Sequence, residues 1–110
     1  MTIVKITKKD GHIREVLCDG HTCYGEYGED IVCSALSSVV QTAALGLMSV
    51  AGININLERE ETRGYLKMNI PENLSEIQEI QADAILETML CGVSDLYQGF
   101  SDFIELEVRN

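Results

Sequence analysis

Positive charge is scarce in this chain: eight lysines and arginines stand against eighteen aspartates and glutamates, a net charge of -10 over 110 residues. Affinity for a nucleic acid backbone comes chiefly from Lys and Arg neutralising phosphates, so this balance argues against RNA or DNA as a partner. An acidic surface suits a basic polypeptide partner, or simply keeps the protein in solution. Long apolar runs are missing too. The opening residues, MTIVKITKKD, meet charge after three apolar residues or fewer, so neither a signal peptide nor a membrane span is expected and the expected location is the cytoplasm. There is one proline, Pro71, and no low-complexity tract, linker or internal repeat, which leaves one domain over residues 1–110. That length supports a hydrophobic core without staples. Four cysteines, Cys18, Cys23, Cys33 and Cys91, are too sparse for a disulfide scaffold, and reduced thiols are expected. Cys18, His21, Cys23 and Cys33 could be drawn as a zinc set, but they lack the Cys-x2-Cys spacing of common structural sites. No metal and no cofactor is expected.

What is present is a clear run of alternating and helical patterns. Asp10-Gly11 is a strong hairpin turn between residues 2–8 and 12–19, both rich in Ile and Val. Apolar positions from Ile31 to Met48 recur as pairs every four residues, the period of a long buried helix face. Gly52 breaks that pattern. Ile53, Ile55 and Leu57 then alternate with polar residues as a half-buried strand does, and Leu66, Met68 and Ile70 do the same after a turn over 60–64. Pro71 stops that strand. Asn73 followed by Glu76 resembles a capping box for a second helix ending near Gly92. A last strand is expected over 102–109. The expected fold is α+β in the order ββαββαβ, a mainly antiparallel five-stranded sheet with two helices on one side, making two layers. An exposed sheet edge would offer a dimer contact.

The most informative stretch is 20–33, GHTCYGEYGEDIVC, which sets an imidazole and a thiol at the two ends of a glycine-containing loop. Asp30 is a good N-cap type, which starts the first helix at about residues 29–30 and puts Cys33 in its first turn. A thiol with a reference pKa of about 8.5 needs help to ionise. A helix N-terminus supplies unpaired N–H groups and partial positive charge, and an imidazolium adds to it. The same N–H groups could hold an oxyanion. Cys33 is thus a candidate nucleophile and His21 its base, with Asp19 or Asp30 available to orient the ring. At 100° per residue Cys33 lies on the shoulder of the apolar stripe, with Ser37 one turn below as a hydrogen-bonding support or a plain flank residue. Gly25 and Gly28, with Tyr24 and Tyr27, make a loop able to close over an extended peptide or simply an exposed connection. The residues also admit a non-enzymatic dimeric binding module in which Cys33 is a packed core cysteine. A redox-sensing thiol pairing with Cys23 is a third possibility.

The run Gly20-His21-Thr22-Cys23-Tyr24, with Gly28-Glu29-Asp30-Ile31-Val32-Cys33-Ser34-Ala35-Leu36-Ser37, closely resembles the signature of the Prp family of bacterial ribosomal-processing cysteine proteases. Length, element order and acidity are similar as well. The resemblance implies an endopeptidase that removes a short N-terminal extension from large-subunit ribosomal protein twenty-seven, a basic protein, before ribosome assembly. It implies His21 and Cys33 as the catalytic pair, Ser37 and Asp30 as supporting residues, and Gly20, Tyr24, Gly25, Tyr27 and Gly28 as the substrate loop. Ser34 stands where the family often has alanine. A homodimer, a loop ordered by substrate and an apolar recognition cleft are implied too.

Overall fold

The computed structural model describes residues 1–20, 27–60 and 64–110, with 27–30 as helical backbone only. The elements are β1 (Thr2–Lys9), β2 (His12–Gly20), α1 (Tyr27–Ser49), β3 (Asn56–Glu60), β4 (Tyr65–Asn69), α2 (Glu76–Gly99) and β5 (Ile104–Arg109). This is the expected ββαββαβ order. Asp10 and Gly11 turn the first hairpin with φ of 55° and 83°, the left-handed pair that lets a two-residue loop match strand twist. The sheet order is β3-β4-β2-β1-β5. Every pairing is antiparallel except β1 with β5, which is parallel, as a crossover through α2 requires.

Alternation along the strands sends Val4, Ile6, Val16, Cys18, Leu66, Met68 and Ile104 to one face, where they are buried. Val32, Leu36, Val40 and Leu47 of α1 and Ala82, Leu86, Met89 and Val93 of α2 complete the core against them. Each aliphatic side chain so enclosed contributes about 1.5–3 kcal/mol. Both helices therefore share one side of the sheet, with α1 lying against α2.

Several boundaries differ from expectation. α1 starts at Tyr27, so Asp30 is inside the helix rather than at its cap, and Cys33 is in the second turn. Acidic residues are as favourable in a first turn as at a cap, which is why Glu29-Asp30 misled the placement. In α2 the cap is Ser75, which accepts from the Gln78 backbone N–H while the Gln78 side chain accepts from Ser75 N. Gln78 Nε2 also donates to the carbonyls of Ala51 and Gly52, an anchor that favours this box over Asn73 with Glu76. Nor does α2 end at Gly92. A Cβ there would lie 3.3 Å from Val39 Cγ1, so this glycine serves close helix packing and the chain stays helical to Gly99.

Ile53 and Ile55 are buried as expected but precede β3 instead of belonging to it. Ile31–Ser49 is, contrary to expectation, long and apolar enough to cross a membrane, with mean hydropathy 1.7. Its polar positions are uncharged, and counting charge interruptions in the opening residues could not reveal it. In this fold its apolar stripe covers the sheet. Cys91 of α2 is exposed rather than packed against the core. His12 is half-buried: its Nδ1 lies 2.9 Å from Asp83 Oδ1 and 3.0 Å from Glu79 Oε1. Arg14 also bonds Glu79, and together they tie β2 to α2.

Candidate active site

Cys33 lies where the apolar stripe of α1 turns toward its polar flank. Val32 and Leu36 are sealed in the core, Cys33 is 8% exposed, Ser37 is half-buried and Ser34 faces outward. The thiol meets the last residue of β2. A Cβ on Gly20 would stand 3.3 Å from Thr2 Oγ1 and only 2.8 Å from Cys33 Sγ, the latter closer than real side chains come, so glycine lets the strand end this near the sulfur. A second glycine locks the approach. Gly64, with φ of +70°, accepts from Gly20 N–H at 3.0 Å, and a Cβ on it would meet Gly20 O at 2.8 Å. The close contact that brings β2 to the thiol thus needs one glycine at the end of β2 and another in the turn before β4.

Beyond the sulfur opens a cavity of about 440 Å³, within the range of about 300–1,000 Å³ usual for ligand sites. Cys33, Ser37 and Gln41 of α1 form one wall, Arg59, Glu60 and Tyr65 the other, and Leu66 lies at its base. Gln41 Nε2 donates to Ser37 Oγ at 2.8 Å, which orients the serine hydroxyl within this wall. Helix placement changes the electrostatics expected of the site. The unpaired N–H groups of α1 belong to its first four residues, from Tyr27, a turn above Cys33, whose own N–H falls inside the ladder.

Of the sequence candidates, the structure brings Cys33 and Ser37 to one cavity and sets Gly20 against the Cys33 sulfur. Tyr27, Gly28 and Asp30 are in the first turn of α1. His21, Tyr24 and Gly25 lie outside the described residues, as does Cys23. Asp19 alternates to the sheet face opposite Cys18 and Gly20. Arg59, Glu60, Gly64 and Tyr65 were missed as site residues. Only the turn over 60–64 was legible, because the wall they form depends on strand order.

Cys18 lines the same cavity. Burial, then the neighbouring Cys33 and Asp19, push its thiol up to about 12. It therefore stays neutral near pH 7 and is no competitor for alkylating reagents. A folded-state value above the unfolded one stabilises the fold fully below about pH 9, and that contribution is lost as pH rises through 12. We expect urea unfolding to show stability falling between pH 9 and 12, with a shallower fall in Cys18→Val. Equal slopes would deny Cys18 this role.

Among the described residues, the one group with metal-ligand spacing is His12, Glu79 and Asp83, their ligand atoms within 4.8 Å of one another. With Arg14 already on Glu79, this is a structural ion-pair network distant from the thiol cavity.

The family described as Cysteine protease Prp matches residues 1–105. The ribosomal processing cysteine protease Prp of Staphylococcus aureus strain Mu50 is 26% identical over 110 residues, spanning 99% of this chain and all of the relative. The crystal structure of the S. aureus protease with a substrate peptide superposes at a TM-score of 0.85, with 26% identity over 98% of this chain and 99% of that one. Its form with a covalently linked product peptide gives 0.82 and 27% over the same shares. With one family matched across nearly its full length and its fold shared with that family's solved structures, the chain belongs to the cysteine protease Prp family.

Proposed function

We propose that this protein is a single-domain cysteine endopeptidase of the cytoplasm that removes the N-terminal extension of large-subunit ribosomal protein twenty-seven, using Cys33 as nucleophile and His21 as base. The observation that carries the reading is the contact at Gly20: the residue that precedes His21 in the chain abuts Cys33 Sγ. This contact, together with the family signature that pairs Gly20-His21 with Cys33, supports assigning the two roles to His21 and Cys33. The relatives' names state ribosomal processing, and their complexes hold peptides. Membership of a protease family sets aside the non-enzymatic binding module.

In this mechanism His21 accepts the Cys33 proton and the thiolate attacks the scissile carbonyl. The imidazolium then protonates the leaving amine, and water hydrolyses the thioester with His21 again as base. Ser37, oriented by Gln41, supports the substrate in the cleft. Tyr24 and Gly25 keep the role of substrate-loop residues, whereas Tyr27 and Gly28 belong to α1 and not to a loop. Asp30, inside the first turn of α1, orients His21 or acts through helix stability. Net charge of -10 complements a basic ribosomal substrate, and the protein works as a homodimer without metal or cofactor.

The test is mass spectrometry of a synthetic peptide spanning the extension junction, incubated with the protein. Cleavage at the one bond that joins the extension to the mature protein supports the substrate assignment. An intact peptide alongside cleavage of another ribosomal precursor would move the assignment to that substrate.

A further inference from the structure

The cavity at the thiol does not end at Gln41. A second pocket of about 80 Å³ adjoins it, and Gln41, Arg59 and Leu66 line both. The character changes along the way. Near Cys33 the α1 wall is serine and glutamine, whereas the second pocket is bounded by Leu45 and Met48 of α1 and Leu57 of β3. Leu45 is 58% exposed and Met48 38%, an apolar surface on the flank of α1 that does not contribute to the core. Its volume admits one side chain rather than a whole small-molecule ligand.

We propose that this second pocket is a distal specificity subsite, taking one aliphatic side chain of the peptide whose scissile bond lies at Cys33. The inference rests on the proteolytic reading above and extends it to how the substrate is chosen. The occupant follows from continuity, since a chain lying in the first cavity has the second as its next lining along α1.

The distance sets which residue it is. Cys33 and Leu45 are twelve residues apart on one helix, about 18 Å at 1.5 Å per residue. An extended peptide advances about 3.3 Å per residue, so the recognised side chain is about five or six residues from the bond that breaks. β3 favours that extended form. It is an edge strand, paired with β4 and lying outermost in the sheet, and its Leu57 and Arg59 point toward the same pocket. A peptide running beside such an edge can satisfy its backbone there and present alternate side chains to α1.

The experiment measures kcat and KM of the wild type and of Leu45→Glu on two junction peptides. One carries leucine five and six residues from the scissile bond on both sides, and the other carries serine at those positions. We expect the leucine peptide to show a KM about tenfold lower with the wild type, the scale of burying one aliphatic side chain. Leu45→Glu should erase that advantage while leaving kinetics on the serine peptide unchanged. Equal KM for both peptides with the wild type, or an equal loss on both in Leu45→Glu, would overturn the subsite. If the wild type cleaves neither peptide, the proposed substrate fails and the subsite, which depends on it, fails with it. Leu45 is exposed, so its replacement spares the core. Met48→Glu, at the other side of the pocket, should give the same pattern.

Discussion

Cys33→Ala is expected to abolish cleavage of the junction peptide, with kcat/KM falling by about 10⁴-fold or more, the scale on which nucleophile removal acts in enzymes of this kind. His21→Ala should fall by a similar factor, and the double variant should be no worse than either single one, because base and nucleophile act as a unit. Unfolding midpoints separate chemistry from folding. The Cys33 side chain is small and at the edge of the core, 8% exposed, so its truncation should cost no more than about 1–2 kcal/mol. A Cys33→Ala protein that stays folded and still cuts the peptide would remove Cys33 from the mechanism. Additive losses in the double variant would mean that His21 and Cys33 act independently.

Gly20→Ala should be nearly as damaging to activity, although alanine carries no reactive group. Its methyl would stand 2.8 Å from Cys33 Sγ and 3.3 Å from Thr2 Oγ1, so either the strand end or the thiol must move. A displacement of about 1 Å at a reacting atom can cost about 100-fold, and overpacking a tight interior costs about 1–3 kcal/mol. The sulfur is the nearest obstruction, which gives the prediction a second arm. In a Cys33→Ala background Gly20→Ala should be much less destabilising than in the wild type, a coupling of about 1 kcal/mol readable from a double-mutant cycle in urea. Additive stabilities would show that the crowding at Gly20 is relieved elsewhere.

The local features of this fold were legible and the non-local ones were not. Asp10-Gly11 reads as a hairpin because its left-handed backbone is a property of two residues. Val32, Leu36, Val40 and Leu47 read as core because a helical period needs no knowledge of partners, and all four are buried. Cys33 on the shoulder of that stripe followed from the same geometry. The wall facing it did not. Arg59, Glu60 and Tyr65 reach the thiol cavity because β4 lies beside β2 and β3 beyond it, and no pattern within residues 56–69 states that order. The boundaries of α2 failed for another reason: Asn73 with Glu76 and Ser75 with Gln78 are both chemically sound boxes, and the choice between them involves carbonyls at Ala51 and Gly52. Gly92 likewise reads as a stop until Val39 is seen against it.

The parallel pairing of β1 with β5 governs how the chain must be made. Thr2 faces Ile104 and Thr7 faces Arg109, so each residue of β1 waits for one synthesised about a hundred residues later. β1 and β2 can zip as a hairpin as soon as both have emerged from the ribosome, yet the outer edge of β1, flanked by Val4 and Ile6, has no partner until β5 has been made. Such distant contacts slow folding, and an uncovered apolar edge is where nascent chains stick to one another. Until β5 docks, a nascent chain that has emerged through α2 carries the thiol side formed by β2, β4 and α1 with its opposite flank open to misassembly.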